Sequence, residues 1–220
     1  CLLRMVRPFK EVRILLLSEG RIGEFTQRTE YYLRKMHSGA EQQSSRSLNV
    51  SFIWGSANEQ LVQMYGRHMC IIRNKILYKL VNSNMNPGGP FYNILKGASI
   101  TYRLPFPDVA HKAWATGAPV LSFTNAEESK GRLLIEKMGM PKDAWFVCFH
   151  VHDTSYLNRM EPGIDSTYKE WGSGSIDVFR EAMKHIAASG GYAIRMGSVV
   201  SKPLDDLEDP RIIDYASNHR

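Results

Sequence analysis

Residues 11–19, EVRILLLSE, decide the fold class. From Ile14 to Leu17 the run is apolar without alternation, the mark of a strand covered on both faces in a parallel sheet. GRIG (20–23) follows. EFTQRTEYYLRKMHSG then carries Phe25, Tyr32, Leu33 and Met36 at helical spacing and stops at Gly39. LNVSFIWG (48–55) reads as a second strand. Ser56 with Glu59 has the spacing of a capping box for the helix ANEQLVQMYGRHM. Strand, helix, strand, helix is the signature of an α/β domain.

From residue 83 to 123 no period is clear, and the prolines and glycines there leave the segment unplaced. Beyond it, Asn125 is read as the cap of AEESKGRLLIEKMG, with Glu128 as its partner and Gly139 and Pro141 as stops. AWFVCFHV reads as a strand and 153–174 as a long loop. SIDVFREAMKHIAASGG is a helix with its stripe at Ile176, Phe179, Met183 and Ile186. Strands at 192–197 and 211–216 complete the pattern. The expected fold is therefore α/β with two Rossmann-like units, 1–124 and 125–220. The second is too short to be complete, so the chain is read as a piece of a longer protein.

Composition narrows the function classes. The 220 residues are 43% hydrophobic and 23% charged, ordinary for a folded protein. A net charge of +6 without a run of five basic residues favours anionic ligands over a dedicated nucleic-acid surface. Cys1, Cys70 and Cys148 are far apart and form no CxxC, which suits a reducing compartment. Arg4, Arg7, Lys10 and Arg13 interrupt the opening apolar stretches. No uninterrupted stretch can span a bilayer, leaving at most a peripheral membrane contact.

In open parallel sheets, ligands bind beyond the carboxyl ends of the strands. Three segments are expected there and to face one crevice: SEGRIGE, HVHDTSY and RMGSVVSK. Gly20 and Gly23 offer backbone amides at a helix start beside Arg21, and Glu24 complements the helix dipole. Arg195, Gly197, Ser198 and Lys202 bring charge and free amides past a strand end, suited to a pyrophosphate. His150, His152 and Asp153 allow two readings: a wall for an anionic substrate, or half of the metal site of an HxH hydrolase.

GRIGEF (20–25), LSFTNAEESKGRLLIEKMGMPKDAWFVCFHVHDTSYL (121–157), YAIRMGSVVSKPL (192–204) and PRIIDYA (210–216) resemble a bacterial family of glycosyltransferases. That family is distantly similar to O-fucosyltransferase-like enzymes and is associated with surface polysaccharide synthesis. The resemblance is firm from 121 to 217 and thinner over 14–35. It implies a GT-B fold with an acceptor-side first domain and a second domain that binds a nucleotide sugar. His150, Asp153, Tyr156, Arg195 and Gly197 keep the family pattern. His152 stands where the family has an arginine that holds the donor diphosphate. Gly172 and Ser173 replace an arginine and an asparagine.

On this resemblance Arg195, Lys202 and the amides around Gly197 and Ser198 neutralise the diphosphate. His152 stands in for the arginine, and Asp153 deprotonates or orients the acceptor. The Gly20–Glu24 loop faces the acceptor. A nucleotide sugar is the co-substrate, a glycan or lipid-linked saccharide the acceptor, and no metal or other cofactor is expected. The implied location is cytoplasmic, at most against the inner face of the membrane. Two alternatives stay open: a non-catalytic nucleotide-sugar or glycan-binding remnant, and the HxH metal-dependent hydrolase.

Overall fold

The 11–19 run forms β1 (Glu11–Leu16), three residues shorter than the apolar pattern suggests. Among the described residues its ladder with β2 ends at Leu15–Ser51 and its ladder with β4 at Leu16–Arg103. The computed structural model describes residues 11–17, 19–37, 47–84, 89, 100–103, 118–152, 154–160, 174–205 and 208–218. The chain folds as two units, Cys1–Phe123 and Thr124–Arg220.

In the first unit β1 is followed by α1 (Ile22–His37), β2 (Ser47–Ile53), α2 (Glu59–Gly66), β3 (Cys70–Arg73), α3 (Lys75–Asn84) and β4 (Ile100–Arg103). The four strands are parallel in the order β3-β2-β1-β4. The chain thus winds outward from β1 to β3 and returns to β1's other side, which makes β1 the switch point of the sheet. The α1 stripe is buried as its spacing predicts: Phe25, Tyr32, Leu33 and Met36 pack with Leu15, Ile53 and Tyr65. Phe25 and Tyr65 meet with ring centroids 5.2 Å apart, a tilted contact worth about 0.5–1.5 kcal/mol beyond its buried area. Tyr32 also donates to Asn49 Oδ1 at 2.7 Å, which fixes α1 on β2.

The cap of α2 differs from the expectation. Asn58, not Ser56, accepts from the Leu61 amide, while Ser56 Oγ accepts from the Asn58 amide at 3.0 Å. Ser56 therefore shapes the turn before the cap, and Glu59 pairs with Arg73 across the sheet end. β3, α3 and β4 have no counterpart in the sequence reading. α3 starts from Asn74, whose side chain accepts from the amides of Ile76 and Leu77, both at 3.0 Å.

In the second unit α4 (Asn125–Lys137) precedes β5 (Phe146–His150), α5 (Ser155–Met160), a 3-10 turn (Ile176–Phe179) and α6 (Arg180–Ala188). β6 (Tyr192–Met196), β7 (Ile212–Asp214) and α7 (Tyr215–Asn218) follow. Its sheet is parallel in the order β5-β6-β7. Thr124, one residue before the expected Asn125, caps α4 in a full capping box with Glu127. Glu128 instead pairs with Arg132 one turn on. α5 lies inside the span read as a long loop. The 3-10 turn splits the expected long helix: Ile176 and Met183 are buried, whereas Phe179 is 37% exposed. The 211–216 strand ends at Asp214, and Tyr215 already belongs to a helix.

The β ladder sorts this sheet's two faces. Val147, Phe149, Ala193 and Ile212 pack with Ile176, Met183 and Ile186, so α6 covers one face. Ile194 and Ile213 pack with Ile135, Met138 and Met140 on the other.

Candidate functional site

The carboxyl end of β1 opens into Glu19, Gly20 and Arg21 before α1 begins. Glu19 is buried, 6% exposed. Its carbonyl accepts from the Ala57 amide at 2.7 Å, which ties this loop to the one leaving β2. Its carboxylate is hydrogen-bonded by the Tyr78 side chain of α3 and by the backbone amides of Glu19 and Trp54. Burial raises the carboxyl above its ordinary range, and those hydrogen bonds offset only part of the shift. Tyr78 is raised too, first by burial and then by the charge of Glu19. A buried carboxyl at the switch point, with a raised proton affinity, is suited to proton transfer. The SEGRIGE segment contains Glu19, but an acidic residue at a strand end carries no sequence signal of burial.

The rest of the loop is less constrained. A Cβ at Gly20 or Gly23 would meet nothing within 4 Å, so close packing does not require either glycine. Glu24 lies between two guanidinium groups, Arg28 at 3.3 Å and Arg21 at 3.7 Å, in the first turn of α1. Its charge thus complements both the helix terminus and its neighbours.

In the second unit two loops leave adjacent strands at the same end, because His150 of β5 is the register partner of Met196 of β6. The strand stops at His150, so His152 lies beyond it rather than beside His150 on one strand face. Both histidines are exposed, and the His152 carbonyl accepts from the Gly174 amide at 3.0 Å. Tyr156 sits partly buried in α5. Asp153, Gly172 and Ser173 lie outside the described residues. Among the described residues no group of three or more His, Cys, Asp and Glu side chains is arranged to hold a metal ion.

Arg195 does not reach past the strand end. It is 4% exposed, on the β6 face that α6 covers, and donates to the Lys202 carbonyl at 2.8 Å and to Asp214 at 3.4 Å. The same Asp214 oxygen accepts from the Leu204 amide at 2.8 Å. Arg195 and Asp214 therefore clamp the 197–204 loop back against the sheet. Gly197 starts the loop in a tight place, since a Cβ there would stand 3.0 Å from the Val200 side chain and 3.2 Å from Ala216 Cβ. Ser198 is exposed on the same turn.

The Lys202 side chain turns the other way and pairs with Asp177, which also accepts from Ser175 and Arg180. Hydrogen bonds from Lys202, Ser175 and Arg180 hold the Asp177 carboxyl far below its usual range. Asp177 and Asp214 anchor this loop, and neither stands out in the sequence. Pairing between strands that are distant along the chain is invisible there.

Compared with family models, curated proteins and solved structures, the chain matches none. Among the described residues no helix is long and apolar enough to cross a membrane.

Proposed function

We propose that the chain is a glycosyltransferase of GT-B type that moves a sugar from a nucleotide donor to a glycan hydroxyl. The observation that carries this reading is Glu19: a buried carboxyl of raised proton affinity, held by Tyr78, at the switch point of the first sheet. In the proposed step the acceptor hydroxyl gives its proton to the Glu19 carboxylate and its oxygen bonds to the anomeric carbon. The bond from that carbon to the diphosphate breaks, and the diphosphate leaves with the electron pair.

The donor side is assigned to the second unit. The amides of Gly197 and Ser198 lie in a loop clamped from within by Arg195, and His150, His152 and Lys202, the last paired with Asp177, are exposed side chains of the same unit. Arg195 acts through the loop it holds. Support comes from the paired strand ends of β5 and β6 and from the family resemblance over 121–217. The working location suggested by that resemblance is the cytoplasm, at the inner face of the membrane.

The test is release of nucleoside diphosphate from a panel of nucleotide sugars, with and without saccharide acceptors. Glu19→Gln should lower turnover by about a hundredfold or more, the usual weight of a general base, and leave donor affinity within about twofold. Turnover unaffected by E19Q would remove Glu19 from the mechanism. Donor binding without turnover would favour the non-catalytic binding reading.

A further inference from the structure

α3 turns an apolar face outward. Ile76 is 77% exposed and Leu80, one turn later, is 50% exposed. The anchored side carries Tyr78, bonded to Glu19, and the buried Val81. Trp54, 55% exposed at the end of β2, lies beside the helix start with the Lys75 ammonium 4.9 Å from its ring centroid. Lys75 and Lys79 are exposed one turn apart, along the flank of the Ile76–Leu80 pair. No acidic residue occurs anywhere in KILYKLVNSN. A helix packed on a soluble domain ordinarily shows a polar outer face, so this one departs from the pattern at both ends of the apolar pair.

We infer that this face, Trp54 with Lys75, Ile76, Lys79 and Leu80, docks on an anionic lipid bilayer. The chemistry of the patch selects that partner. Apolar side chains enter the headgroup boundary, tryptophan favours the interface, and lysines meet anionic headgroups. The net charge of +6 adds long-range attraction to a negative surface. A second copy of the chain fits worse, because in a two-fold contact between these helices KILYKLVNSN offers no acidic group to meet Lys75 and Lys79. Docking here is independent of whether the chain transfers sugar, although α3 would hold Glu19 close to the lipid surface through Tyr78.

Co-sedimentation of the whole chain with phosphatidylcholine vesicles, with and without phosphatidylglycerol, tests the inference. Binding should require phosphatidylglycerol and weaken with salt. Ile76→Ser with Leu80→Ser should lower binding about tenfold or more. Lys75→Gln with Lys79→Gln should cost roughly fivefold per lysine. All four positions are exposed, so the melting temperature should stay within a few degrees of the parent and separate lost docking from lost folding. Vesicle binding unchanged in both double variants would overturn the proposal. So would self-association that I76S/L80S abolishes in a chain that ignores vesicles.

Discussion

At the scale of single residues, two side chains carry the proposed chemistry. Glu19 is held above its ordinary carboxyl range by burial. Between the ordinary value of 4.5 and the raised one, the folded chain therefore holds a proton that the unfolded chain has released. Stability must then fall as pH rises through that window. Glu19→Gln should flatten this fall and leave the variant more stable than the parent at pH 8, as urea midpoints at pH 4, 6 and 8 would show. Parallel profiles for parent and variant would mean that Glu19 is not strained by burial. His152 is the second. His152→Arg should tighten donor binding at pH 8 about tenfold or more, since a guanidinium stays charged and bonds two oxygens. An arginine variant no better at pH 8 would exclude His152 as a diphosphate ligand.

At the scale of elements, the helix and strand periods were readable and their ends less so. The α1 stripe from Phe25 to Met36 packs as its spacing says, because one apolar face on one helix has only one side to bury. Caps shifted by one or two residues where several capping residue types lie together: Ser56 and Asn58, Thr124 and Asn125. Only the backbone geometry of the folded turn chooses among them. Asn74 could have announced α3, and Ile76, Leu77, Leu80 and Val81 have helical spacing, although of these four only Val81 is buried. Arg195 was expected past the strand end, on a pyrophosphate, because spacing shows the 211–216 strand but not its register beside 192–197. Across the sheet Asp214 is its register partner, a fact that belongs to folding rather than to spacing. The cap of α4 permits a direct check. None of its residues is buried, so its hold is largely local. Thr124→Ala should cost roughly 0.5–2 kcal/mol and raise amide exchange through the first turn. Unchanged exchange there would show that the capping box is dispensable.

At the scale of the whole molecule, two parallel α/β units, a positive net charge and polar loops at the carboxyl ends of the strands all suit an anionic, phosphate-bearing ligand. The sequence reading assigns such a ligand mainly to the second unit. The anchoring of its loop by Asp177, Arg195 and Asp214 needed three dimensions, and so did the buried carboxyl of the first unit. The central claim is that the chain binds a nucleotide-sugar donor through side chains and amides, without a divalent ion. Thermal unfolding with a panel of nucleoside diphosphates, in buffer containing EDTA, tests it most directly. At 100 times its dissociation constant, at least one should stabilise the fold by about 2.7 kcal/mol. No shift with any of them, or a shift that appears only with Mg²⁺ or Mn²⁺, would contradict the account.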